Sequence, residues 1–155
     1  MAAEERLVKI VANLQGEESF AGESLWAKPL GNDLYELRST PFSAHGLHFM
    51  DVVQAVAPSP DRIPEVVEVV RRSGHRTIRL VFAPQLSADG RSQLVRKLNE
   101  MHAYYERAGS GLYAFDVEPQ GDYQAVRNQL DEWEKQGLLQ YERGTTEQGR
   151  NDAGR

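Results

Sequence analysis

The chain has no cysteine among its 155 residues, which excludes disulfides, thiolate nucleophiles and cysteine-ligated zinc or iron-sulfur centres. It has no apolar run approaching the ~18 residues that a membrane-spanning helix needs, so no membrane association is expected. No glycine-rich phosphate loop, GxSxG elbow or HExxH spacing occurs, and no stretch repeats at any period. The start, MAAEERLVKIVANL, is acidic and then mixed, where a secretory leader is basic and then unbroken in its apolarity; a cytoplasmic location is the expectation.

What is present has the balance of a globular protein, with 40% hydrophobic and 26% charged residues. The length suits one α+β domain over 1–143, with a β-rich part at 7–83 and a β/α part at 84–143. From Gly144 the tail GTTEQGRNDAGR has no hydrophobic residue larger than Ala; its ordering entropy would go uncompensated, and it is expected to be disordered. The net charge of -5 conceals an uneven distribution. Residues 62–97 carry eight bases against three acids, a local +5, and the remainder carries ten bases against twenty acids, or -10.

Hydrophobic period places the elements. Val8, Ile10, Ala12 and Leu14 share one face of a strand. In ESLWAKPL, Leu25 and Ala27 oppose Trp26 and Lys28, and Gly31, Asn32 and Asp33 tolerate the positive φ of a hairpin turn leading to DLYELRST. Pro41 ends that ladder before the loop PFSAHGLHFMD, and DVVQAVA resumes strand character. The stretch PEVVEVVRRSGHRTIRLVFAP reads as the central hairpin of the fold. Val66, Val67, Val69 and Val70 occupy both faces of its first arm, RRSGHR forms its tip, and Ile78, Leu80 and Phe82 alternate with Arg79 in its second arm. On this reading Val67→Asp and Leu80→Asp should each unfold the domain.

Beyond Pro84 the spacing of Leu94, Leu98, Met101 and Tyr105 predicts a helix of about five turns, capped by Ser87 or Asp89 and stopped at Gly109 or Gly111. LYAFDV is a strand. Asp122 caps a second helix with the stripe Tyr123, Val126, Leu130 and Trp133, stopped by Gly137, and LLQYE is a last strand. The fold class expected is α+β: a mostly antiparallel sheet or partly closed barrel in the first half, then β-α-β-α-β with two helices on one face.

Four stretches, ESLWAKPLGNDLYELRSTPF, MDVVQAV, VVRRSGHRTIRLVF and YAFDVEPQGDYQAVRNQLDEWEKQGLLQYE, resemble in that order the bacterial family catalogued as domain of unknown function 4265. The resemblance covers roughly Leu7 to Glu142. It implies a fold and a bacterial cytosolic setting, and no activity or catalytic residue. The family's loop carries an aromatic where His45 stands and a Gly where Met50 precedes Asp51, so this chain departs from the pattern at both positions.

Arg71, Arg72, His75, Arg76 and Arg79, together with His45 and His48 of the PFSAHGLHFMD loop, form the candidate ligand-binding cluster, because guanidinium forks match the oxygens of phosphate or carboxylate and an anion could sit between the two stretches. The residues of the tip also suit a solvated turn. His45 and His48, with Asp51 nearby, are the closest approach to a metal-ligand set; they lack a regular strand or helix context, and no metal or other cofactor is expected. Trp26, Tyr35 and Phe42 could form an aromatic platform, or fill a core. No catalytic constellation stands out, so an enzyme is the less favoured reading. The expected function is a non-enzymatic protein-interaction, immunity-type or regulatory domain whose acidic surface meets a basic protein partner. The alternative is an anionic small-molecule binding protein or enzyme using residues 71–79; nucleic-acid binding is a second, weaker alternative.

Overall fold

The computed structural model describes residues 5–13, 22–107 and 109–142. The expected disordered tail lies outside these residues. The chain divides into two compact units, 1–74 and 75–155. The division falls between Gly74 and His75, inside the stretch read as a hairpin.

The first unit is a closed five-stranded barrel, β1 (Val8–Asn13), β2 (Gly22–Gly31), β3 (Leu34–Leu37), β4 (Val52–Val56) and β5 (Glu65–Arg71). Neighbours pair antiparallel except at the closure, where β1 meets β5 in parallel at Val11 and Glu65. Alternation works as expected in β1 and β2: Ile10, Ala12, Leu25 and Ala27 are buried with Leu37, Val53 and Ala55. Asn32 and Asp33, with φ of 58° and 64°, make the β2–β3 turn. The aromatic platform does not form, because Trp26 is 47% exposed while Tyr35 packs on the barrel core.

β5 corrects the central-hairpin reading. It pairs with β4 and β1, and the strand after the tip belongs to the other unit's sheet. Its valines occupy both faces because its pairing with β4 shifts register twice, between Val66 and Glu68 and between Val69 and Arg71. Each bulge inserts one residue and resets the two-residue period, leaving Val67 60% and Val70 52% exposed.

The second unit runs β6 (Arg76–Phe82), α1 (Ala88–Glu100), β7 (Ala103–Arg107), β8 (Tyr113–Val117), α2 (Tyr123–Lys135) and β9 (Leu139–Tyr141). Its sheet order is β7-β8-β6-β9, all antiparallel. Each helix therefore joins two parallel strands with a third between them, the split βαβ or ferredoxin-like arrangement. The expected β-α-β-α-β lacks β7. Ser87 and Asp122 cap the two helices as expected, accepting from the amides of Gly90 and Ala125 at 3.0 Å each. α1 stops at Glu100, however, well before Gly109. The reversal is made by His102 at φ 66°, a non-glycine residue in the left-handed region that no glycine signal announces. Tyr105 thus belongs to a strand. Ile78, Leu80, Phe115 and Val117 pack with Leu98, Val126, Leu130 and Trp133, so both helices cover one face of the sheet. Among the described residues no helix is long and apolar enough to cross a membrane.

Candidate functional site

The sequence-nominated cations do not converge on one point. Arg71 is exposed at the end of β5, where it pairs in register with Val52. Arg72 donates to the carbonyl of Gly46 and reaches Asp51 at 3.3 Å. Asp51 is fully buried and accepts from the amides of Ser73 at 2.8 Å and His48 at 3.0 Å. Burial pushes its carboxyl up, against the pull of those amides and of Arg72. The carboxylate that might have joined His45 and His48 on a metal is thus spent on the backbone, with His45 exposed. Among the described residues, no three His, Asp or Glu side chains gather as metal ligands would. A second carboxylate, Glu23, accepts from three successive amides, Phe42, Ser43 and Ala44, at 2.6, 2.9 and 2.8 Å. Two acids therefore hold the 41–51 loop from either end.

Within that loop Met50 has φ 71°, and its amide donates to the carbonyl of Leu37 at 2.8 Å. The backbone keeps the left-handed conformation for which a glycine would be suited, with a methionine in the position.

In the second unit, His75 Nδ1 lies 2.8 and 2.9 Å from the two oxygens of Asp116. Asp116 stands mid-strand in β8 on the face away from the helices. Burial raises it to about 6; the bond and charge of His75 pull the other way, and Glu118 and Glu106 add to the rise. Arg79, on the same face, is buried and pairs with Glu142 at 2.8 Å. Arg76 points to the opposite face, where its guanidinium lies 3.9 Å from the centroid of the Tyr123 ring. His75, Arg76 and Arg79 are therefore each engaged within their own unit.

Cationic groups do converge at a cleft of about 360 Å³ between α1 and the β7–β8 edge. On the helix side, Arg91, Ser92, Val95, Arg96 and Asn99 recur at spacings of one, three, one and three, which places them on one face at 3.6 residues per turn. The strand side supplies Tyr105, Arg107 and Tyr113. Arg91 is steered by a 2.9 Å bond to the carbonyl of Leu86, and Arg107 lies 5.5 Å from the centroid of the Tyr113 ring. Among the described residues, three arginines line this cleft and no acidic residue does. Like charges so placed repel one another and are relieved by a bound anion.

Sequence reasoning missed this site, although Arg91 and Arg96 belong to the +5 segment. The helical spacing was a signal available in the sequence. Tyr105 and Arg107 were not legible, because they reach α1 only through the unrecognised β7. A second cleft of about 330 Å³ lies at the β9 edge, lined by Val81, Phe82, Pro84, Leu139 and Glu134 among others.

The family model of the Domain of unknown function DUF4265 matches residues 23–141. The chain belongs to this family. Its fold is similar to that of a hypothetical protein from Neisseria gonorrhoeae, with a TM-score of 0.71 and 18% identity over 92% of this chain and 95% of that one. No curated protein matches it. Within this DUF4265 domain the matched segment includes the barrel strands from Glu23 onward, both helices and the arginine-lined cleft.

Proposed function

We propose that this DUF4265 protein is a non-enzymatic binding protein that holds a small anion in the cleft between α1 and β7. The observation that carries this reading is the convergence of Arg91, Arg96 and Arg107, with the polar Ser92 and Asn99, around a concave space free of carboxylates among the described residues. Guanidinium donors in a recess bind carboxylate or phosphate through paired hydrogen bonds. The address differs from residues 71–79, whose Arg72 and Arg79 are committed to Asp51 and Glu142. A non-enzymatic role is supported by the enclosure of the Asp116–His75 pair, whose side chains are 11% and 15% exposed and which lines neither cleft.

A thermal-shift panel of phosphate, sugar phosphates and dicarboxylates tests the proposal. The expected result is a rise in Tm with at least one anion, lost in Arg96→Ala and Arg107→Ala and kept in Arg71→Ala. Stabilisation unaffected by the first two substitutions would overturn it.

A protein-interaction role is the second reading, favoured by the exposed apolar side chains of Val67 and Val70 on the bulged strand β5. Nucleic-acid binding has less support. The central strands β6 and β8 carry Thr77, Arg79, Ala114 and Asp116 on the face away from the helices, where stacking on bases would call for aromatic rings.

A further inference from the structure

From the aromatic side of the same cleft we infer that its ligand is a small planar ring bearing a phosphate or carboxylate, of mononucleotide or aryl phosphate size. This deepens the anion-binding reading and rests on it. A site for a bare anion needs only donors, but this cleft also has an aromatic floor. Tyr105 is 43% exposed as a residue, and its ring centroid lies 4.9 Å from that of Tyr113 and 5.5 Å from that of Phe115, both buried. Its orientation is thus set by the core beneath it while much of its surface remains open. Val95 adds an apolar contact from the helix side.

A flat ring resting on Tyr105 would place its charged substituent among the arginines of α1 and β7, where stacking and charge act together. The cleft's volume of about 360 Å³ lies at the lower end of small-molecule sites, which run from about 300 to 1,000 Å³. That room suits one ring system with one charged arm and is short for a dinucleotide. The single exposed tyrosine also sets the specificity: stacking is tolerant of ring identity, so several bases should bind with similar strength.

Calorimetric titration with AMP, UMP, phenyl phosphate, ribose 5-phosphate and adenosine separates the two components. The expected result is binding of AMP, UMP and phenyl phosphate about tenfold or more tighter than ribose 5-phosphate, the range that one stacked ring contributes, and little binding of adenosine. Tyr105→Leu should erase the advantage and leave ribose 5-phosphate binding unchanged, while Tyr105→Phe, which keeps the ring, should retain it. Equal affinity for AMP and ribose 5-phosphate in the wild type, or an advantage that survives Tyr105→Leu, would overturn the ring assignment and leave the anion site standing. Failure of every phosphate to bind would sink both.

Discussion

Val67 and Leu80 occupy equivalent places in the two apolar stretches flanking RRSGHR, yet their substitution should have very different consequences. Leu80 is 2% exposed and packs in the core of the second unit. Truncation of such a leucine to alanine costs about 2 to 5 kcal/mol, and Leu80→Asp adds the burial of an unpaired charge, enough to reach the whole stability of an ordinary domain, about 5 to 15 kcal/mol. Val67 is 60% exposed at a bulge of β5. Full burial of a valine is worth roughly 1.5 to 3 kcal/mol, so the buried minority of its surface and the poorer strand propensity of aspartate together put Val67→Asp at about 1 kcal/mol. With a urea m-value of ~1 to 3 kcal/mol/M, Val67→Asp should move the unfolding midpoint by less than about 1 M. Leu80→Asp should fail to show a cooperative transition in its unit. Circular dichroism and tryptophan fluorescence melts in urea measure both. Collapse of Val67→Asp to the same degree as Leu80→Asp would mean that the two stretches do form one buried hairpin and that the bulged barrel strand is wrong.

At Met50 the usual order of alanine over glycine should reverse. The two truncations differ only in the Cβ, and only glycine relieves the left-handed φ, so Met50→Gly should be more stable than Met50→Ala by about 1 kcal/mol in chemical denaturation; alanine the more stable would refute the backbone assignment. Asp116, raised from 3.8 to about 6, binds its proton more tightly in the folded than in the unfolded chain. Its ionisation therefore opposes folding: its contribution is fully present below pH 4 and is lost as pH rises through about 6. The difference in stability between wild type and Asp116→Asn, followed from pH 4 to 7, should shift against the wild type across that window, and a flat difference would contradict the raised value.

Local signals in the sequence were reliable where one residue does one job. The side chains of Ser87 and Asp122 cap helices, Asn32 and Asp33 turn a hairpin, and the alternation of β1 and β2 reads directly as a barrel wall with one wet face. Misreading began where the backbone breaks a local rule. Two bulges make β5 look buried on both sides, and the apparent hairpin followed from that period. His102 takes a conformation usually left to glycine, so the helical spacing of apolar residues continues through Tyr105 and masks β7. The site was lost with that strand, since the cleft exists only because β7 brings Tyr105 and Arg107 opposite Arg91 and Arg96. The basic cluster at 71–79 was visible as charge, but charge along a chain says nothing of partners. Arg72, His75 and Arg79 meet Asp51, Asp116 and Glu142, which lie between 21 and 63 residues away.

The most direct measurement of where an anion binds is a titration of the isotope-labelled protein with phosphate or AMP, followed by amide and arginine side-chain NMR. Shifts should concentrate at Arg91, Ser92, Arg96 and Asn99 on α1 and at Tyr105 and Arg107 on β7, with Arg71, Arg72 and Arg76 unmoved. Perturbations centred on residues 71–76, with a silent α1, would contradict the cleft.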